Sequence, residues 1–153
     1  MLKKSTILFR ILALLLVIST LTGGLVSADN ISEPRASDYL SSYNTYPYNA
    51  SWGKIRIYFD VTGTNYMDEI GALNIKIYES TDNETWTLVK TFKHSTTPSM
   101  LGANEMYYSS YVEYAGTIGR YYKAYVCLWA GKDGNGDTRY MWTGAQKATL
   151  FAG

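Results

Sequence analysis

The strongest constraint on this chain is a period of two in its apolar residues. Ile55, Ile57, Phe59 and Val61 alternate with Arg56, Tyr58 and Asp60. Leu73, Ile75 and Ile77 repeat the pattern against Asn74, Lys76 and Tyr78. Side chains of a strand point alternately to its two faces, so this spacing belongs to strands with one face on a core. Helical spacing is nearly absent. Met67 and Ile70, three apart, predict at most one helical turn within Asn65 to Ala72.

Around those two segments the strand signals continue. Ser37 to Asn49 reads as a first strand, with Pro47 marking an edge or a bend. Trp86 to Phe92 follows the turn-forming run Glu79 to Glu84, which makes a hairpin with the preceding strand. Tyr107 to Tyr114, bounded by Gly102 and Gly116, is another strand. Tyr121 to Ala130 is the longest β-rich run, and Tyr140 to Phe151 supplies the closing strand. Gly131 to Asp137 is a loop on composition, since glycine, Asp and Asn tolerate positive φ. About seven short strands separated by turns predict an all-β, antiparallel β-sandwich, immunoglobulin-like or fibronectin type III-like.

The first 28 residues have a different character. Lys3, Lys4 and Arg10 precede an apolar run from Ile11 to Ile18, and Val26-Ser27-Ala28 places small residues before Asp29. This is the pattern of a secretory signal peptide cleaved after Ala28. The strong apolar core is shorter than the ~20 residues a spanning helix needs. The domain reading is therefore a signal peptide over 1–28, an N-terminal extension over 29–36, and one β-sandwich over 37–153. A lipoprotein anchor needs a cysteine at the cleavage site, and the only cysteine is Cys127. The product is expected to be secreted and extracellular, with no membrane association after cleavage.

Three of the 14 basic residues lie in that leader and all 13 acidic ones follow it. The remaining 11 against 13 give a formal charge of −2, which argues against nucleic acid, whose binders carry a basic surface. About 125 residues remain, a common size for one domain. With one cysteine there is no intrachain disulfide, so packing must supply the stability. The 15 tyrosines and 4 tryptophans make this feasible, each large ring burying roughly 150–250 Å². Cys127, within Tyr125-Val126-Cys127-Leu128-Trp129, has no adjacent base and reads as an inert strand residue.

Several segments resemble a family of small secreted proteins of Gram-positive bacteria known only as a domain of unknown function. They are Tyr66 to Ala72, Ile77 to Asp82 with Trp86, Lys90 to Phe92, Met100 to Gly102, Gly119 to Ala124 and Ala130 to Gly134. The resemblance covers roughly Pro34 to Lys147 and implies a secreted single domain, with no activity, ligand or catalytic residue attached. Separately, the order Tyr122-x-Ala124-x-Val126 is similar to the F strand of fibronectin type III and immunoglobulin-like modules.

The chemistry-bearing residues point away from an enzyme. His94 is the single histidine and sits in Phe92-Lys93-His94-Ser95-Thr96, with no nucleophile motif around it. A structural zinc site needs four Cys or His ligands, and the chain has two such residues. A small glycoside hydrolase needs two carboxylates flanking a cleft. Here Asp68, Glu69, Asp82, Glu84, Asp133 and Asp137 fall in turns, where short acidic side chains serve backbone geometry. Asp133, Asn135 and Asp137 have the 1-3-5 spacing of a calcium loop, but the EF-hand glycine and glutamate positions hold Thr138 and Gly144. A hairpin loop is the primary reading there, with a weaker calcium site as the alternative; no cofactor is expected. Ser80-Thr81-Asp82-Asn83-Glu84-Thr85-Trp86 resembles a shortened Asp-box hairpin, in which Ser and Asp cap a turn over the tryptophan.

Strand parity supplies the candidate binding residues. With Tyr122, Ala124, Val126 and Leu128 facing the core, Tyr121, Lys123, Tyr125, Cys127 and Trp129 face outward. Tyr121, Tyr125 and Trp129 then form an aromatic row, to which neighbouring strands can add Tyr78, Tyr140 or Trp142. Exposed contiguous apolar surface of this kind marks a binding site, the alternative being rings that merely cover the sheet and pack on lysine stems or an N-terminal strand. The expected function is a non-enzymatic binding or adhesion module, its partner a glycan or, alternatively, an extracellular protein.

Overall fold

A computed structural model describes residues 37–153. The signal-peptide and extension readings, 1–28 and 29–36, lie outside the described residues. Nine strands follow in order: β1 Leu40–Asn49, β2 Lys54–Met67, β3 Glu69–Ser80, β4 Thr87–Lys93, β5 Leu101–Gly102, β6 Glu105–Ala115, β7 Tyr121–Lys132, β8 Asn135–Trp142 and β9 Gln146–Lys147. Two of these have only two residues, so seven strands build the sandwich. One sheet runs β1-β2-β6 and the other β4-β3-β7-β8, with β5 beside β3 and β9 beside β7. Every pairing is antiparallel. This is the fibronectin type III-like arrangement, with β4 joining the sheet of β3 rather than that of β1 and β2.

The alternation read from the sequence becomes the core, except at Leu73, which a bulge between Ala72 and Asn74 leaves partly exposed while Ala72 is buried in its place. Ile55, Ile57, Phe59 and Val61 of β2 and Ile75 and Ile77 of β3 are fully buried. Tyr122, Ala124, Val126 and Leu128 of β7 pack with them between the sheets. Pro47 lies on β1, an edge strand, where a missing N–H costs no ladder bond.

Three boundaries differ from the sequence reading. The expected helical turn over Asn65 to Ala72 is extended. Strand β2 runs to Met67, β3 starts at Glu69, and the chain changes sheets at Asp68. Met67 and Ile70 both bury their side chains, but from two strands in different sheets, and that mimics a helical spacing of three. Among the described residues the helical element is a single 3-10 turn, Pro98–Met100. The expected loop Gly131 to Asp137 contracts to two residues. Asp133 and Gly134 have φ of 52° and 76°, a type I′ turn whose twist matches the flanking strands. Strand β8 accordingly ends at Trp142 rather than near Phe151. The tail beyond it is tied down by buried Asn49, which donates to Thr149 Oγ1 and the Phe151 carbonyl and accepts from the Thr149 amide.

Two local devices fix β3 and β7. Ser80 Oγ and Asp82 Oδ1 cap the β3–β4 turn, Asp82 accepting from the amides of Glu84 and Thr85 at 2.9 and 2.8 Å. Those amide bonds, with the Ser80 hydroxyl, hold the Asp82 carboxyl far below the usual range. Asn83 takes the positive φ where the longer Asp-box has glycine. At the other corner the Tyr122 hydroxyl accepts from the Thr117 amide at 2.7 Å and donates to Glu79. This tyrosine corner belongs to the same sandwich class.

Candidate functional site

The outer face of the β3-β7-β8 surface carries the aromatic cluster. Register decides who meets whom. Lys76, Tyr125 and Trp142 form one cross-strand row, and Asn74, Cys127 and Tyr140 the next. Tyr125 lies 5.7 Å from Tyr140 at an interplanar angle of 14° and 4.9 Å from Trp142. Trp142 in turn lies 5.1 Å from Tyr78. The ammonium of Lys123 sits 4.2 Å above the Trp86 ring and 4.8 Å above that of Trp142. Five aromatic rings and a lysine thus form one surface, with Tyr140 and Trp142 at least half exposed.

The three residues singled out by parity do face outward, but they do not form one row. Residues i and i+4 on a strand are about 13 Å apart at ~3.3 Å per residue, too far for ring contact. Tyr125 joins the cluster through β8. Tyr121 instead lies under the Lys147 ammonium, 5.3 Å from its ring centre. Trp129 folds flat over the backbone of Gly131 and Gly136. A β-carbon on either glycine would come within 2.4 Å of the indole. Its Nε1 is buried with no hydrogen-bond partner among the described residues. The platform therefore runs across strands, from Tyr78 to Tyr140, and not along β7.

Cys127 faces the same way yet is buried, with Tyr140 of β8 as its cross-strand partner. Burial pushes its thiol pKa up, opposite to what a nucleophile requires.

Beside the rings lies a shallow pocket of about 440 Å³ on β3 and β4. Leu73, Asn74, Lys76, Thr91, Lys93, His94 and Ser95 line it. Lys93 pairs in register with Asn74, and Thr91 with Lys76. Hydrogen-bonding groups thus adjoin the apolar surface, the composition of a site that orients a ligand through few polar contacts. Parity on β7 alone could not show this shelf, whose residues come from β3, β4 and the turn that follows β4.

Asp133, Asn135 and Asp137 are separately engaged. The Asp133 amide donates to Asp68 Oδ2 at 2.7 Å, and Asn135 Nδ2 donates to the Asp133 carbonyl at 3.3 Å. The Asp137 carboxylate accepts from Ser37 Oγ at 2.5 Å and the Tyr39 amide at 3.1 Å, holding the start of the described chain. Those bonds, Ser37 first, lower its pKa. Among the described residues no group of three or more His, Cys, Asp or Glu is placed to hold a metal ion. Nor is any helix there long and apolar enough to cross a membrane.

The opposite sheet has an aromatic row that the sequence reading missed. Tyr46, Tyr58 and Tyr111 are direct cross-strand partners on β1, β2 and β6. Their rings lie 5.2 and 5.1 Å apart, and Arg56 stacks on Tyr111 at 4.6 Å. The charges here are internally matched: Glu113 bridges Lys54 at 3.0 Å and Arg56 at 2.9 Å. The period-two pattern of β2 that revealed its core already placed Tyr58 outward, but pairing it with Tyr46 and Tyr111 required the register.

No family model and no curated protein matches the chain. Among solved structures, it is similar to a family 76 glycoside hydrolase from a bovine Bacteroides thetaiotaomicron strain, at 14% identity and a TM-score of 0.31. The match covers 69% of this chain and spans 20% of the other.

Proposed function

We propose that the protein is a secreted, non-enzymatic module that binds carbohydrate on the outer face of β3, β7 and β8. One observation carries this reading: the continuous ring surface Tyr78–Trp142–Tyr125–Tyr140, with Trp142 and Tyr140 at least half exposed, Tyr78 and Tyr125 partly so, and none of the four in the core. Sugar rings present flat C–H faces that stack on such surfaces, while polar neighbours bond their hydroxyls. Asn74, Thr91 and Ser95 are placed for that second role. The carboxylates near the face have structural engagements, Glu79 with Arg120 and Tyr122, and Asp82 with its own turn. That supports binding over hydrolysis.

The test is affinity electrophoresis through gels containing plant, bacterial or animal polysaccharides. Retardation by at least one polysaccharide is expected, abolished by Trp142→Ala with the circular dichroism spectrum unchanged. Retardation that survives Trp142→Ala and Tyr125→Ala would overturn the reading.

A second reading, an extracellular protein partner, is favoured by the tyrosine row of the opposite sheet, since tyrosine is enriched in protein interfaces. It predicts partner capture sensitive to Tyr111→Ala and indifferent to Trp142→Ala.

A further inference from the structure

We infer that the saccharide this face takes is acidic, a hexuronate polymer whose carboxylates meet Lys76, Lys93 and Lys123. The inference rests on the carbohydrate reading and adds the ligand's charge. Among the described residues the ion pairs are Lys54 and Arg56 with Glu113, and Arg120 with Glu79. None involves Lys76, Lys93 or Lys123. The opposite tyrosine face neutralises its cations internally, whereas the β3-β7-β8 face does not. An uncompensated cationic face, where the residues after Ala28 carry a formal charge of −2, is a local field that concentrates anions.

Register also sets where the negative charge must lie on the ligand. Lys76 is the cross-strand partner of Tyr125, so the two side chains leave the sheet about 4.5–5.5 Å apart. Lys123 stands directly over Trp86 and Trp142. A sugar ring that stacks on Tyr125 therefore meets the Lys76 ammonium at its own edge, with Lys123 nearby over Trp142, which suits an anion carried on the sugar ring itself. A polyphosphate has no ring to stack. Lys93 extends the same charge into the pocket, where Asn74, Thr91 and Ser95 can take hydroxyls.

Isothermal titration with oligogalacturonate, a neutral galacto-oligosaccharide of equal length, polyphosphate and single-stranded DNA tests this. Oligogalacturonate should bind at least tenfold tighter than the neutral oligomer at low ionic strength. The margin should narrow between ~0.01 and ~0.15 M salt, as the Debye length falls from ~30 to ~8 Å. The Lys76→Gln, Lys93→Gln double variant should lose at least fivefold more affinity for the acidic oligomer than for the neutral one, its melting temperature unchanged. Equal affinity for the acidic and neutral oligomers would overturn the acidic assignment and leave the carbohydrate reading standing. Polyphosphate or DNA binding as tightly as oligogalacturonate would reduce the face to an ion exchanger and overturn it as well. Absence of binding by any saccharide, in gels or in solution, would remove both.

Discussion

The hydroxyl of Tyr122 donates to the carboxylate of Glu79 at 2.5 Å, between cross-strand partners on β7 and β3. The same oxygen accepts from the Thr117 amide, and Glu79 also receives Arg120. One phenol thus joins the β6–β7 connection to the centre of the larger sheet. Burial, then the bond to Glu79, raises its pKa, so the phenol stays a donor through neutral pH. Tyr122→Phe keeps the ring and removes both bonds. A loss of about 1.5–3 kcal/mol is expected from a bond to a charged acceptor, read as a lower denaturant midpoint with unchanged slope. A loss below a few tenths would mean water replaces the corner.

The two faces of the paired strands β7 and β8 should answer truncation differently. Leu128 is fully buried, so Leu128→Ala should cost roughly 2–5 kcal/mol through lost transfer energy and the cavity left behind. Trp142 is half exposed and contributes mainly aromatic contacts with Tyr78 and Tyr125. Its truncation should cost about 1 kcal/mol. Paired urea melts check this, and the reverse order would invert the assigned faces.

Gly131 and Gly136 are glycines because an indole lies on them. Gly131→Ala pushes a methyl group into Trp129, and the ring must lift off the sheet. Overpacking of this kind costs about 1–3 kcal/mol. A red shift in tryptophan emission should accompany it. Unshifted emission at full stability would show that the indole is not held there.

Acid should loosen the link between Asp137 and the start of the described chain. The native pKa of Asp137 is lowered by Ser37 and the Tyr39 amide, so its ionised form is favoured by folding. That contribution is complete above the unfolded value of ~3.9 and is lost as pH falls through the lower native value. The melting-temperature advantage of the native protein over Asp137→Asn should therefore be constant from neutral pH to about pH 5 and shrink toward pH 2. An advantage that grows on acidification would contradict the assignment.

Alternation along β2, β3 and β7 was enough to read the all-β class and most of the buried set, because parity is a property of one strand until a bulge interrupts it, as at Leu73. Met67 and Ile70 show where such reading fails. Their spacing of three mimics a helix, yet each is an inward position of a different strand, and only the change of sheets at Asp68 reveals it. The Asp-Gly turn at 133–134 was legible as a turn, but its length was not, since composition does not say where pairing stops.

The candidate site divides the same way. The sequence by itself determined that Tyr125 faces outward, that Leu128 faces inward, and that any histidine-based catalytic set would have to use His94, since these follow from local geometry and counting. Which outward residues meet was decided by the tertiary structure. Tyr125 joins Trp142 and Tyr140, Trp129 closes over glycines, and Lys76 stands beside Tyr125, because register between strands distant in sequence sets those distances. Register is the sum of turn lengths, bulges and core packing across the whole domain. The bulges within β3–β4 and β3–β7 leave no trace in the alternation of any single strand.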